Sequence, residues 1–270
     1  MYAEERRRQI ASLTAVEGRV NVTELAQRFE VTAETIRRDL SALHDEGAVQ
    51  RVHGGAVASQ SYRSTEIPLD TRQRASLAAK TAIAETALQF VPDTQNCTIF
   101  LDSGTTISSL GKRLAETRGD KEYSVVTNSI PTALELSDSG LPDVQLLGGS
   151  VRPISQAVVG STALRTLALL RADVAFVGTN ALSIGHGLST PDAQEAAVKA
   201  AMVTNARKVV VLCDSTKLGN DYVVSFAPLT DIDVVVTDAE APSAFVDELR
   251  SHGIEAVSYT HLRAHETRGN

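Results

Sequence analysis

The sequence predicts a two-part α/β chain: a winged helix-turn-helix over residues 1–58, then a larger α/β domain on a mostly parallel sheet. Three observations predict it. Three helical apolar periodicities precede a glycine-rich hairpin pattern in the first 58 residues. From residue 75 onward, short β-branched runs alternate with alanine-rich helical stretches. Polar or glycine-rich loops recur where five of these runs end, the edge at which open α/β sheets take their ligands.

Within the first part, Glu4 to Glu17 reads as a helix, with Ile10, Leu13 and Val16 on one face and Arg6, Arg7 and Arg8 at its start. Gly18 stops it, and Arg19 to Val22 is a short strand. Thr23 is the expected N-cap of a second helix, Glu24 to Phe29, and Thr32 that of a third, Ala33 to Glu46. The third helix buries Ile36, Leu40 and Leu43, which leaves Glu34, Thr35, Arg37, Arg38 and Ser41 around its other face. Ala48 to Val52, the turn His53-Gly54-Gly55, and Ala56 to Ala58 make a hairpin. Residues 59–74 are polar and turn-rich and read as a linker.

In the second part a helix over 75–91 leads to the strand Thr98–Leu101, the loop Asp102-Ser103-Gly104-Thr105-Thr106, and a helix from Ile107. Further strands are expected at Ser124–Thr127, Val144–Leu147, Val174–Val177, Val209–Leu212, Val234–Val236 and Ile254–Val257, with a helix over Ala193–Ala206. Their following loops are Asn128-Ser129, Gly148-Gly149, Gly178-Thr179-Asn180 and Asp214-Ser215-Thr216-Lys217. A domain over 75–257 results. Ser258 to Asn270 has no apolar period and reads as translated adapter sequence, a non-native tail without functional content.

Composition narrows the function classes. The 270 residues are 43% hydrophobic and 22% charged, and no apolar run has the ~20 residues that span a bilayer. The N-terminus has no secretory h-region, and two cysteines, Cys97 and Cys213, each in an apolar run, make neither a disulfide framework nor a zinc site. A reducing cytoplasm is the expected compartment, with no membrane partner, metal or cofactor. The net charge of −7 excludes a generic nucleic-acid coat; residues 1–58 carry 8 Arg, no Lys and 9 acidic groups.

Even so, the arginines cluster where a docked helix-turn-helix touches duplex DNA. The exposed face of the third helix can enter the major groove, with Arg51 and His53 beside neighbouring phosphates. Arg6, Arg7, Arg8, Thr23, Thr32, Glu34, Thr35, Arg37, Arg38, Ser41, Arg51 and His53 form the candidate DNA-contacting set. A small helical cap with solvated arginines fits the residue pattern about as well. In the second part, a strand that runs through a Gly/Ser/Thr loop into a helix has anion-binding geometry. GxxxxGK[ST] is absent, so nucleotide hydrolysis is not indicated.

The string Val31-Thr32-Ala33-Glu34-Thr35-Ile36-Arg37-Arg38-Asp39-Leu40, followed by Arg51-Val52-His53-Gly54-Gly55-Ala56, resembles the N-terminal module of DeoR-type bacterial transcriptional regulators. The later stretches Asp102–Thr106, Val126–Ser129, Leu147–Gly149 with Arg152, Asp173–Ala181, Gly187–Asp192, Glu195 with Lys199, and Asp214–Lys217 are similar to the sensor domain of that family. The resemblance implies a ribose-5-phosphate isomerase-like fold and a phosphorylated-sugar effector whose phosphate sits on Ser103, Gly104, Thr105 and Thr106. It further implies double-stranded operator DNA as partner and association with the bacterial nucleoid; since one helix-turn-helix reads only a half-site, a homo-oligomer (dimer or tetramer) is expected. Among such regulators the chain looks most similar to actinobacterial ones associated with fructose uptake, which makes fructose 1-phosphate the leading effector.

The remaining candidates have assigned roles and plain alternatives. Lys217 is a second phosphate cation or a solvated lysine, and Arg152 a flexible donor or one half of a surface ion pair. Asp102 and Asn128 bind sugar hydroxyls or cap turns. Glu195 faces the pocket or solvent. Thr127, Gly148, Gly149, Gly178 and Asn180 complete the pocket loops. An aldose–ketose isomerase is the rival function, with Glu195 and Lys217 as base and donor. The isomerases, however, carry a DGAD-like acidic segment where this chain reads Gly178-Thr179-Asn180-Ala181, so no catalytic residue is assigned.

Overall fold

The computed structural model describes residues 3–17, 19–45, 49–52, 54–58, 69–94, 96–119 and 121–259. In the N-terminal module α1 (Ala3–Glu17), α2 (Val22–Arg28) and α3 (Ala33–Asp45) accompany β1 (Arg19–Asn21), β2 (Val49–Val52) and β3 (Gly55–Ala58). The three strands form an antiparallel sheet in the order β1-β3-β2. Ile10, Leu13, Leu25, Ile36, Leu40 and Leu43 close the core with Val20, Val49 and Ala56. This is the expected winged helix-turn-helix. His53 and the side chains of Arg8 and Val16 lie outside the described residues.

The wing depends on its two glycines. Gly54 takes φ +79°, and a Cβ on Gly55 would sit 1.9 Å from the Val20 carbonyl oxygen, where β3 crosses β1. The second helix begins differently from expectation. Asn21 Oδ1 accepts the Thr23 amide at 2.7 Å, so Asn21 is the cap and Thr23 lies in the first turn. The buried Val22 turns inward as a helical residue instead of ending the strand. Thr32 caps α3 as expected, its Oγ1 accepting the Thr35 amide at 3.2 Å.

In the larger domain, seven parallel strands run in the order β15-β14-β12-β9-β4-β5-β6. They are β4 (Cys97–Leu101), β5 (Tyr123–Thr127), β6 (Asp143–Leu146), β9 (Val174–Gly178), β12 (Val209–Leu212), β14 (Val234–Thr237) and β15 (Glu255–Ser258). Alternate side chains point to opposite faces. Phe100, Val126, Ala175, Val177 and Val211 pack on one side; Ile99, Leu101, Val125, Phe176 and Val210 pack on the other. A sheet buried on both faces needs apolar residues at every strand position, which is why these strands read as continuous β-branched runs. The helices are α4 (Leu69–Arg74), α5 (Leu77–Ala87), α6 (Thr105–Thr117), α7 (Ile130–Asp138), α8 (Ser161–Ala168), α9 (Ala193–Thr204) and α10 (Ser243–Ser251). No helix among the described residues is long and apolar enough to cross a membrane.

Strand order reverses between β4 and β9: β4-β5-β6 run outward on one side and β9-β12-β14-β15 on the other. Loops leaving adjacent strands there diverge and open a crevice.

Four expectations need correction. The stretch read as linker contains α4, seated by the buried Leu69, whose amide donates to Ile154 O at 3.0 Å. Helix α6 starts at Thr105, so both threonines of the loop belong to its first turn. Ser258 pairs with Thr237 in β15 and the Tyr259 amide donates to Thr237 O at 3.1 Å, so the folded chain runs two residues into the segment read as a tail. Finally, five short strands were not anticipated: the hairpin β7 (Ser150–Arg152) and β8 (Ala157–Val159), and the sheet of β10 (Ala181–Ser183), β11 (Gly187–Thr190) and β13 (Val224–Ala227).

Arg6 is also not a surface arginine. Its Nε donates to Asp39 Oδ2 at 2.7 Å, both side chains are below a tenth exposed, and the pair clamps α1 to α3. Removing one partner of a buried pair strands the other charge. Asp39→Ala is therefore expected to lower unfolding stability of the module by about 3–5 kcal/mol. Hydrogen exchange of α3 amides in the full chain checks this; protection equal to the parent's would show that the pair carries no such weight.

Candidate functional site

The crevice at the reversal is a cleft of about 50 Å³, partly open to solvent. Three adjacent central strands supply its floor: Ser103 to Ile107 after β4, Gly178 to Asn180 after β9, and Leu212 to Asp214 with Lys217 after β12. Helix α9 contributes Glu195 and Lys199, and the α4–α5 segment contributes Arg72 and Lys80. Four cations and two carboxylates, Glu195 and Asp214, line the cleft, and the buried Asp102 matches Lys199 from behind. The cleft favours an anion.

Its centre is the start of α6. Gly104, the residue before the helix, adopts φ +142°, ψ 154°, which side chains rarely reach, and this lets the chain turn sharply from β4 into α6. The first-turn amides have no intrahelical acceptors and point outward with the positive end of the helix dipole. The hydroxyl groups of Ser103, Thr105 and Thr106 stand around them in the cleft lining.

Beneath this loop Asp102 is fully buried. Its Oδ2 accepts from Lys199 Nζ and from the Gly178 amide at 3.0 Å, and Lys199 also donates to Gly178 O at 3.1 Å. Burial pushes the Asp102 carboxyl up, against the downward pull of Lys199. Asp102 therefore does not bind sugar hydroxyls; it is spent joining β4, β9 and α9. Lys199 reaches the cleft wall and passes 5.7 Å from the Phe226 ring centroid.

Glu195 is buried at the cleft wall, contrary to its solvated alternative. Arg152 Nη1 donates to its Oε1 at 2.5 Å, and Ser155 Oγ donates to the same oxygen. Burial alone would raise the Glu195 carboxyl, but Lys199, the Ser155 and Arg152 hydrogen bonds and the Arg152 charge outweigh it and hold the group below the usual range. Arg152 also pairs with Asp192 at 3.3 Å. It braces Glu195 from behind and is not a flexible donor into the cleft. Asp192 caps α9, accepting the Gln194 and Glu195 amides.

Other expected pocket residues lie elsewhere. Thr127 Oγ1 accepts the Ser129 amide at 3.0 Å, and buried Asn128 donates to Val158 O at 3.3 Å, so both secure the chain after β5. Gly148 and Gly149 are exposed, and a Cβ on Gly149 would meet Val159 O at 2.4 Å, so they serve the β7–β8 hairpin. Lys217 is half-buried at the cleft, at the end of a one-turn 3-10 segment capped by Asp214. Asn180 lines the cleft while its Oδ1 accepts from Thr190 at 3.0 Å. Cys213 lines it too, with its thiol pushed up by burial, which leaves a weak nucleophile. Arg72, Lys80 and Lys199 were not among the candidates from sequence. Lys199 alone left a signal there, four residues after Glu195 on one helix face.

In the N-terminal module α3 exposes the expected face. Arg38 and Arg37 are 81% and 57% exposed at their side chains, and Glu34 pairs with both, at 3.7 and 3.3 Å. Thr35 is half-buried with its Oγ1 2.9 Å from that of Thr32. Arg51, in the wing, donates to Ser41 Oγ at 2.7 Å and so ties the wing to α3. Arg7 is half-buried on α1, whereas Arg6 is withdrawn by Asp39.

Comparison with known proteins joins these two halves. Residues 6–62 match the DeoR-like helix-turn-helix domain, and residues 75–239 match the DeoR C-terminal sensor domain. The chain belongs to the DeoR family. Relatives of DeoR type align over nearly their whole lengths. An HTH-type transcriptional regulator, GlpR of Haloferax volcanii, is 35% identical over 95% of this chain and 98% of its own. The transcriptional repressor GlcR of Bacillus subtilis is 29% identical over 95% and 96%. The glycerol-3-phosphate regulon repressor of Escherichia coli is 28% identical over 94% and 98%. Among solved structures, ribose 5-phosphate isomerase A of Neisseria gonorrhoeae aligns with a TM-score of 0.38 and 18% identity over 52% of each chain, too loose a likeness to bear on function. This DeoR-type chain is thus a transcriptional regulator with a DNA-binding module and a sensor domain.

The bracing of Glu195 in the sensor domain has a pH signature. A carboxyl lowered on folding contributes stability above its ordinary value of 4.5 and loses it as pH falls through the lowered one. Glu195→Gln is expected to lower the melting temperature near neutrality, with the gap to the parent closing in acid. Calorimetry across that range checks it; a pH-independent gap would mean the charge is not what Arg152 and Ser155 hold.

Proposed function

We propose that the chain represses a sugar-uptake or catabolic operon and releases its operator when a phosphorylated sugar fills the cleft. The observation that carries this reading is the cleft itself: a helix N-terminus and three hydroxyl groups faced by Arg72, Lys80, Lys199 and Lys217. Two-oxygen or three-oxygen anions such as phosphate suit those donors. On this reading Ser103, Gly104, Thr105 and Thr106 hold the phosphate with Lys217, while Asn180, Thr179 and Glu195 face the sugar hydroxyls. Fructose 1-phosphate is the leading effector. Names of two relatives, a glycerol-3-phosphate regulon repressor and GlcR, support repression and a phosphorylated ligand class.

Residues 1–58 would read double-stranded operator DNA and residues 75–257 sense the effector, in the cytoplasm of the cell. One helix-turn-helix reads one half-site, so a symmetric operator calls for a homo-oligomer, a dimer or tetramer. The protein is not an isomerase on this reading. Glu195 is committed to Arg152 and Ser155, and Asp102 to Lys199, so neither carboxylate is poised as a base.

On α3, Arg38→Ala is expected to cost about 1–3 kcal/mol in operator binding and to relax specificity at its base position. Equal specificity ratios for variant and parent would remove Arg38 from base readout.

The decisive experiment follows operator affinity in a salt-matched panel of sugar phosphates, because anionic ligands weaken protein–DNA contacts through ionic strength alone. Fructose 1-phosphate, or another member of the panel, is expected to weaken binding, and the unphosphorylated sugar is not. Thr105→Asp places a negative charge at the phosphate position and is expected to abolish the response. No response to any member, or a parental response from Thr105→Asp, would defeat the reading.

A further inference from the structure

Two of the four cleft cations come from the segment that leads into the sensor domain. Lys80, on α5, is 4% exposed and lines the cleft. Its ammonium donates to Arg72 O and, at 2.7 Å, to Ala75 O. Those carbonyls close the C-terminal end of α4, where a helix leaves acceptors without intrahelical donors and attracts a cation. Arg72, on α4 itself, also lines the cleft.

The position of α4 gives this contact its interest. Its first amide, on Leu69, is held by Ile154 O in the β7–β8 hairpin, the same hairpin whose Arg152 and Ser155 hold Glu195 at the cleft wall. Helix α4 packs against α6, whose first turn opens the cleft, and against α1 of the DNA-binding module. The corner after it is fixed by the buried Ala75 and by Ser76 in the left-handed region, φ +50°. So α4 lies between cleft and reading head, and Lys80 holds its end.

We propose that Arg72 and Lys80 complete the anion site, and that Lys80 couples its occupancy to DNA binding by dividing its ammonium between the anion and the α4 carbonyl groups. This rests on the phosphate-sensing reading above. A fully charged oxygen attracts an ammonium more strongly than a carbonyl dipole does. An anion in the cleft therefore draws Lys80 away from Arg72 O and Ala75 O, loosens the end of α4, and shifts what α1 packs against. The two states of α4 differ in their affinity for the anion, which any ligand-driven change requires.

The test uses the full chain, fructose 1-phosphate and inorganic phosphate as probes, and Lys80→Met beside Lys80→Arg. In the parent, hydrogen exchange over residues 69–76 is expected to rise severalfold when fructose 1-phosphate binds. Lys80→Met is expected to bind the probe about tenfold more weakly, the loss of one charge-assisted contact. At saturating probe its ratio of operator affinities, without and with ligand, falls toward one, while Lys80→Arg recovers part of the parental ratio. A parental ratio from Lys80→Met, or unchanged exchange over 69–76 in the parent, would overturn the proposal; the second readout needs no variant to fold. If the parent responds and Lys80→Met matches it, the proposal for Lys80 falls and the sensing reading stands. If the parent ignores the whole panel, the sensing reading falls and the coupling with it.

Discussion

The buried pair of Asp102 and Lys199 is the constraint on which the sensor domain is organised. It sits where the strand order reverses, and its hydrogen bonds join the end of β4, the end of β9 and the middle of α9. A carboxylate and an ammonium out of water are each costly, and only close pairing with further hydrogen bonds makes the arrangement tolerable. The ladder already sets the spacing of β4 and β9, so the pair fixes where α9 stands against their ends. Every group on the cleft floor inherits that arrangement, from the Gly104 turn to Gly178 and Glu195.

Above this foundation the electrostatics are layered. Negative charge lies deep, at Asp102, and is matched there by Lys199. Glu195 is matched from the rear by Arg152, so its charge is largely answered before a ligand arrives. Toward the opening stand the α6 terminus and, in the cleft lining, Arg72, Lys80 and Lys217. A neutral sugar gains little from their positive charge, whereas a phosphorylated one meets it directly. On the proposed sensing reading, selectivity for the anionic group precedes any contact with the sugar ring.

The sequence made the two-part architecture legible because its strongest signals are periodic. The 3.6-residue spacing of Ile36, Leu40 and Leu43 and the unbroken run Val209–Leu212 each permit one kind of element. The misses share a cause as well. Strands β7, β8, β10, β11 and β13 are three or four residues long, too short for a period to show, and exist because neighbouring chain pairs with them. Helix α4 has six residues, too few for a period to show, and is seated by the buried Leu69. The Gly/Ser/Thr loop was legible as a local pattern; Arg72 and Lys80 were not, since they reach it only after distant segments fold together. Burial also reversed apparent roles. Arg6 and Asp102 are charged residues in motif-like surroundings, and each was read as a contact group until its partner, Asp39 or Lys199, came into view.

The withdrawal of Arg6 carries over to the physics of the DNA complex. Each phosphate neutralised by a protein cation frees condensed counterions, so the steepness of affinity against salt counts the cations that reach the backbone. Arg6 is locked to Asp39, and Glu34 must release Arg37 and Arg38 before they meet DNA. A single reading head is then a shallow counter with a weak grip on arbitrary sequence. In the oligomer proposed above, several heads engage one stretch of duplex, an avidity that vanishes as soon as their spacing is spoiled.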